Sequence, residues 1–245
     1  VPPIDPVRAA KTLTSALRKT GDPARAEGER AYLKSDLRFF GTRVPDLRAA
    51  VKAFLREHPD LDRRALIGLV EALWSQPVFE TRAAAVELLA LRGDLLEARD
   101  MNLVERLLRD SHTWALVDGL APGVAGPLFV RFPKELGSIL DGWARDDDFW
   151  VRRASMLTLL VPLRRGEGDF DRFARYADAM LEEREFFIRK AIGWILREVS
   201  KQRPELVAGW LLPRAGRASG VTVREAVKYL SPKQRDAIMR AYRTK

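Results

Sequence analysis

Glu185-Phe-Phe-Ile-Arg-Lys-Ala-Ile-Gly-Trp-Ile-Leu-Arg-Glu-Val-Ser-Lys201 is the run whose pattern decides the fold class. Ile188, Ala191, Ile192, Ile195 and Val199 recur at the three- and four-residue spacing that lays one apolar stripe along an α-helix. Lys190, Trp194, Arg197 and Lys201 fall on the other side, at offsets of four, three and four. The run is an amphipathic helix whose second face is basic and carries one Trp. Gly193 costs helix propensity, about 1 kcal/mol against Ala. In return it leaves room for a neighbouring helix or backbone to come close.

The same period continues outward from this run. Leu66, Ile67, Leu69, Val70 and Leu73 mark one helix, and Phe79 to Leu91, rich in Ala and Leu and closed by Gly93, marks another. Further helices are predicted over 7–18, 24–35, 44–58, 95–109, 112–120, 134–145, 149–162, 169–181, 203–212, 222–230 and 232–242. Pro45, Pro127, Pro204 and Pro232 lie near proposed starts, where a missing N–H costs little. No alternation of period two is present, so no sheet is expected. Helices of this length joined by short Gly-, Pro- or Asp-containing turns predict stacked antiparallel pairs. Each pair would take roughly 35 to 45 residues, the size of a HEAT-like repeat; a compact irregular bundle is the structural alternative. The segment 214–220 reads as a loop, and residues 1–245 as a single domain.

Composition narrows the chemistry. There is no Cys, which removes thiol redox chemistry, Cys-ligated zinc and disulfides. His58 and His112 have no ligand spacing, so no metal and no cofactor is expected. The N-terminal stretch lacks an apolar core of signal-peptide type, and the longest apolar run, 155–163, is far too short to span a bilayer. A soluble, cytoplasmic protein is expected. The net charge of +9, from 43 Lys and Arg against 34 Asp and Glu, suits a polyanionic partner, nucleic acid first. Many Arg residues stand beside Glu or Asp, so an ordinary solvated surface is the other reading.

Three segments place aromatic and charged groups where a purely structural helix does not need them. In Ser111-His-Thr-Trp-Ala-Leu-Val-Asp118, Trp114 and Asp118 are one helical turn apart, while Leu116, Val117 and Leu120 supply the buried side. An indole beside a carboxylate can wall and balance a cationic group; equally, Trp114 can fill a core while Asp118 caps a helix or pairs with an Arg. The basic stripe of the 185–201 helix suits a phosphate-lined aromatic site, or a Trp that fills space between repeats. In Asp148-Phe-Trp-Val-Arg-Arg-Ala-Ser-Met-Leu, Arg152 and Arg153 stand early in a helix, where an exposed guanidinium reaches a phosphate. The alternative there is a surface pair of Arg153 with Asp146 or Asp148.

Taken together, these segments resemble the DNA alkylation repair glycosylases built from HEAT-like repeats, the AlkD type. The resemblance is carried by Tyr32-Leu-Lys-Ser-Asp-Leu-Arg-Phe-Phe-Gly41 followed by Pro45, by Leu73-Trp74, and by Trp114 with Val117-Asp118. It continues through Trp150-Val-Arg-Arg153, Phe186-Phe-Ile-Arg-Lys-Ala-Ile-Gly-Trp194 and Arg224-Glu-Ala-Val-Lys228. It implies an all-α solenoid with a concave basic face, on which Trp114, Trp194, Asp118 and Arg153 surround the damaged nucleotide. Tyr32 matches a supporting aromatic. His112-Thr113 departs from the family, which often carries another aromatic and an acidic residue there. Arg152, Lys190, Arg197, Lys201, Arg224 and Lys228 are the further DNA-contact candidates.

The activity the resemblance implies is hydrolytic release of N3- or N7-alkylated purines from double-stranded DNA. Such a base already carries positive charge, so the developing difficulty is cationic sugar character, which a carboxylate near C1′ stabilises. Asp118 is the candidate for that role. With no Lys placed as a Schiff-base nucleophile, the expected enzyme is monofunctional, nucleoid-associated, and needs no obligatory protein partner. Two other classes fit the same pattern: a non-catalytic binder of damaged or branched DNA, and a protein-interaction solenoid.

Overall fold

The computed structural model describes residues 4–244. It is all-α: among the described residues there is no strand, only an isolated bridge between Arg38 and Val78. No helix among these residues is long and apolar enough to cross a membrane. The chain divides into two compact units, with the break between Leu128 and Phe129.

The first unit contains α1 (Pro6–Lys19), α2 (Pro23–Leu33), α3 (Val44–Glu57), α4 (Arg63–Trp74), α5 (Phe79–Leu91), α6 (Met101–Arg109) and α7 (Trp114–Leu120). α4 packs against both α1 and α5, and α5 against α7. Leu13, Leu17, Leu66, Leu69, Leu73, Leu88 and Leu89 are fully buried between them. Burying each such side chain stabilises the unit by about 1.5–3 kcal/mol. Asp5, Asp22 and Asp62 cap α1, α2 and α4 by accepting N–H groups of the first turn.

One buried carboxylate ties the loop before α3 to α5. Glu80 accepts the N–H groups of Phe40 (2.9 Å), Gly41 (2.6 Å) and Thr42 (3.2 Å). Burial pushes its pKa up, and these backbone hydrogen bonds oppose the rise. Gly41 is obligatory in this loop. Its φ is +77°, and a Cβ there would lie 2.0 Å from the carbonyl oxygen of Asp22.

A π-turn, Ala121–Ala125, leads from α7 into α8 (Gly126–Arg131), which straddles the break between the units. The second unit continues with α9 (Pro133–Trp143), α10 (Phe149–Leu157), α11 (Leu160–Arg164), α12 (Phe170–Ala179) and α13 (Phe186–Ser200). It ends with α14 (Pro204–Leu211), α15 (Gly220–Ala226) and α16 (Pro232–Arg243). α13 is its centre, packed by α10, α11, α14 and most extensively α15. Ile188, Ala191, Ile192, Ile195 and Val199 are all fully buried, so the stripe read from the sequence is the core face.

Three expected helices are shorter than their apolar pattern. The 149–162 pattern breaks after Leu157, because Pro162 has no N–H to give and its ring crowds the carbonyl one turn back. The 95–109 pattern is a regular helix only from Met101, preceded by two 3-10 turns, Gly93–Leu95 and Ala98–Asp100. There the Asp100 carboxylate accepts the Glu97 N–H at 2.7 Å and fixes the second turn. The 222–230 pattern starts earlier, at Gly220, because Ser219 Oγ accepts the Thr222 N–H at 3.1 Å; it tightens into a 3-10 turn over Val227–Tyr229.

Candidate functional site

In the first unit the site candidates gather at the start of α7. Leu116, Val117 and Leu120 are buried, and Trp114 and Asp118 lie on the other face, both half-buried. Trp114 is therefore not a core-filling residue, and Asp118, in mid-helix, is not a cap. The Tyr32 ring, 73 % exposed, meets the Trp114 indole edge to face, with centroids 5.9 Å apart and planes at 87°. Such pairs contribute about 0.5–1.5 kcal/mol beyond their buried area. Three of the sequence candidates thus share one accessible face of this unit.

The loop that delivers α7 is clamped from behind. Trp74 Nε1 donates to Asp110 Oδ2 at 2.9 Å, and Arg82 Nη2 lies 3.1 Å from the same oxygen. Arg82 Nη1 also donates to the Asp110 carbonyl at 2.7 Å, with its guanidinium stacked over the Trp74 ring at 5.2 Å. Burial pulls the Arg82 pKa down, and the charge of Asp110 works against that. Two residues later His112 takes a left-handed conformation (φ +46°) and Thr113 starts α7 without a side-chain cap. Rigid support on one side and an aromatic–acid face on the other is what a positioned side chain needs.

In the second unit the basic face of α13 is organised by two carboxylates that sequence reading did not single out. Glu225, on α15, accepts from Lys190 Nζ (3.2 Å), from Lys228 Nζ (2.8 Å) and from Arg197. Glu198 accepts from Lys201 Nζ at 3.0 and 2.9 Å, and forms ion pairs with Arg164 (3.0 Å) and Arg197 (3.4 Å). Burial works against ionisation at both acids. Hydrogen bonds and charges from these cations outweigh it, so both pKa values lie below the ordinary carboxylate value. Five cations share two anions, and the tract stays net positive. Trp194, half-buried, stands between Lys190 and Arg197 on this face. Lys201 Nζ also lies 5.0 Å over the exposed Tyr229 ring.

The two arginines at the start of α10 are not free-standing phosphate contacts. Arg152 donates Nε (3.1 Å) and Nη2 (2.9 Å) to Glu183, and Nη1 to the carbonyls of Asp146 (2.6 Å) and Asp147 (2.9 Å). Arg153 is 2 % exposed, which corrects the expectation of an exposed side chain. Its Nη1 donates to the Phe187 carbonyl, and its guanidinium lies 5.8 Å over the Phe187 ring. Trp150 packs against the same ring, with centroids 4.8 Å apart and planes at 41°, so α10 and the start of α13 meet through Trp150, Arg153 and Phe187. Arg224 lines a groove beside α16.

A model of the family described as DNA alkylation repair enzyme matches residues 13–230. The chain belongs to the DNA alkylation repair enzyme family. A predicted DNA alkylation repair enzyme from Enterococcus faecalis shares 25 % identity and a TM-score of 0.77, over 87 % of this chain and 98 % of that one. AlkD2 from Streptococcus mutans, at 18 % identity and TM-score 0.61 over 84 % and 99 %, shares the fold. So does a protein of Streptococcus mutans UA159, at 16 % identity and TM-score 0.61 over 91 % and 100 %. No curated protein matches the sequence at a significant level.

Within this DNA alkylation repair protein, each compact unit carries candidates of its own. Tyr32, Trp114 and Asp118 share a face of the first unit. Lys190, Arg197, Lys201 and Lys228 are brought together in the second by Glu198 and Glu225. In that unit Arg152 and Arg153 also stand at the start of α10, and Arg224 lines a groove beside α16. Among the described residues, no group of three or more His, Asp and Glu side chains is placed to hold a metal ion. Glu198 and Glu225 were present as i+1 and i−3 neighbours of cations. Only the packing of α13 on α15 and on α11 reveals that each gathers charge from two helices.

Proposed function

We propose that this chain is a monofunctional DNA glycosylase that hydrolyses the N-glycosidic bond of N3- or N7-alkylated purines in double-stranded DNA. The observation that carries the reading is the α7 face. A family member dedicated to alkylation repair presents Trp114 and Asp118 one turn apart, half-buried, with Tyr32 packed on the indole. We take residues 1–245 as one repair domain of the HEAT-like kind, acting on DNA in the cytoplasm, at the nucleoid.

An alkylated purine leaves as a neutral base. The C1′–N bond breaks with its electron pair going to the ring, whose positive charge it cancels, so the leaving group needs no added proton. Positive charge then grows on the sugar. The Asp118 carboxylate stabilises it electrostatically and orients the water that adds to C1′, taking up the proton that this water loses and passing it to solvent. Trp114 supplies a π-face that favours the cationic nucleotide over a neutral one, worth about 0.5–2 kcal/mol. Tyr32 holds that indole. In the second unit Trp194, Lys190, Arg197, Lys201 and Lys228 contact the sugar–phosphate backbone, a sequence-independent contribution. Arg152 and Arg153 act as positioning residues for α10 and the start of α13.

The test is free base release from a duplex carrying N7-methylguanine or 3-methyladenine. Wild type releases base, and Asp118→Asn loses at least a hundredfold in rate while still binding the duplex. Equal release by the variant overturns the role of Asp118. Duplex binding without release by wild type favours a non-catalytic binder of damaged DNA instead.

A further inference from the structure

A groove of about 590 Å³ lies beside α15 and α16. Four arginines line it: Arg224, Arg235, Arg240 and Arg243. Asp236 is the one acid in the lining, and it lies 3.5 Å from Arg235. Arg224, Arg240 and Arg243 have no ion pair among the described residues. By contrast, Arg172, Arg197, Arg214 and Arg217 of the same unit are each held by carboxylates. Val227 and Met239 give the groove an apolar floor along which the arginine stems can lie. The Arg224 guanidinium rests against the start of α15, since a Cβ on Gly220 would lie 2.8 Å from both Arg224 Nη1 and Tyr242 Oη.

Unpaired guanidinium groups facing one groove repel each other, and an anion in the groove reverses the sign of that energy. The flat donor fork of Arg matches a phosphate in two-point contact. The lining contains no aromatic ring for a base to stack on and no Asn or Gln to read a base edge. The chemistry therefore fits phosphodiester groups alone, without recognition of sequence or lesion.

We propose that this groove is a second DNA-backbone contact, gripping phosphates of the duplex through Arg224, Arg240 and Arg243 beyond the α13 tract. The proposal rests on the reading of the chain as a protein that acts on duplex DNA. It extends the footprint of the second unit to its C-terminal helix and assigns Arg240 and Arg243 a function.

The experiment measures affinity for an undamaged duplex across a salt series, by fluorescence anisotropy, with base release by wild type followed in parallel. For Arg240→Ala/Arg243→Ala, the slope of log K against log salt falls by about 2, close to 0.9 for each lost phosphate contact. Arg240→Lys/Arg243→Lys keeps most of the slope. Lys52→Ala/Arg56→Ala, which removes equal charge from exposed positions on α3, leaves it in place. An unchanged slope in the double Ala variant, or an equal fall in the α3 variant, overturns the proposal. If wild type releases base while the double Ala variant keeps the full slope, the groove assignment alone fails. If the slope falls but wild type releases no base, the glycosylase reading alone fails.

Discussion

Gly193 on α13 faces Glu225 on α15 so closely that a Cβ on the glycine would lie 2.8 Å from the Cβ of Glu225. It would also lie 3.1 Å from the Cα and the carbonyl oxygen of Thr222, so the obstacle includes backbone. Gly193→Ala gains about 1 kcal/mol of helix propensity and loses about 1–3 kcal/mol by overpacking. The expected net result is destabilisation, read as a lower urea midpoint with an unchanged slope. Because α15 must back away, Glu225 also moves from Lys190 and Arg197, and duplex affinity changes with stability. A midpoint equal to or above that of wild type would show that the two helices have room to spare.

Glu225 also sets a pH dependence, with a sign that follows from its partners. Burial opposes its ionisation, but hydrogen bonds from Lys228 and Lys190 and the charge of Arg197 win, and its folded pKa lies below 4.5. Between the folded and unfolded values the unfolded chain binds more protons, so stability from this group rises with pH. That stability is present above the unfolded value and is lost as pH falls through the folded one. Glu225→Gln is therefore less stable than wild type at pH 7, and the difference narrows below about pH 4. Urea midpoints at pH 7 and pH 3 check this; a difference that stays constant over that range contradicts it.

Glu80 answers a different question, whether the loop before α3 depends on one carboxylate. Removing its side chain leaves the N–H groups of Phe40, Gly41 and Thr42 without their acceptor in a buried setting. Each unsatisfied buried donor costs about 1–3 kcal/mol. Glu80→Ala is expected to lower stability by at least about 3 kcal/mol, with Glu80→Gln between it and wild type, because an amide offers one acceptor oxygen in place of two. Amide exchange at residues 40–42 reports the effect locally. Protection there equal to wild type in the Ala variant would mean that water replaces the carboxylate at no cost.

The α-helical fold was readable because period and punctuation agree. The 185–201 pattern is a helix over Phe186–Ser200, with every residue of its apolar stripe buried. Likewise Leu116, Val117 and Leu120 turned inward and left Trp114 and Asp118 on the accessible face. What the sequence withheld was partnership over distance. Lys190 and Arg197 are visible as a basic stripe. The acid that holds them lies 35 and 28 positions further on, on another helix, and no local pattern joins them. Arg153 shows the same limit: it is buried, and its Nη1 donates to a carbonyl 34 residues away, which no local pattern announces. The break after Leu157 follows from Pro162, which the apolar period alone conceals.

Arg153 allows a clean choice between two roles. A phosphate-contacting arginine, once removed, flattens the salt dependence of duplex binding by about 0.9 and leaves folding intact. A buried arginine that donates to the Phe187 carbonyl and lies against the Phe187 ring does the reverse. Its removal leaves the Phe187 carbonyl without this donor and a void against the Phe187 ring, for a loss of about 2–4 kcal/mol. At 2 % exposure the second outcome is expected. Arg153→Ala should lower the urea midpoint and keep the salt slope. Arg153→Lys should recover little, because an ammonium lacks the planar fork that reaches the carbonyl while lying over a ring. A flattened slope at an unchanged midpoint would return Arg153 to the phosphate backbone and remove its role as the brace of α13.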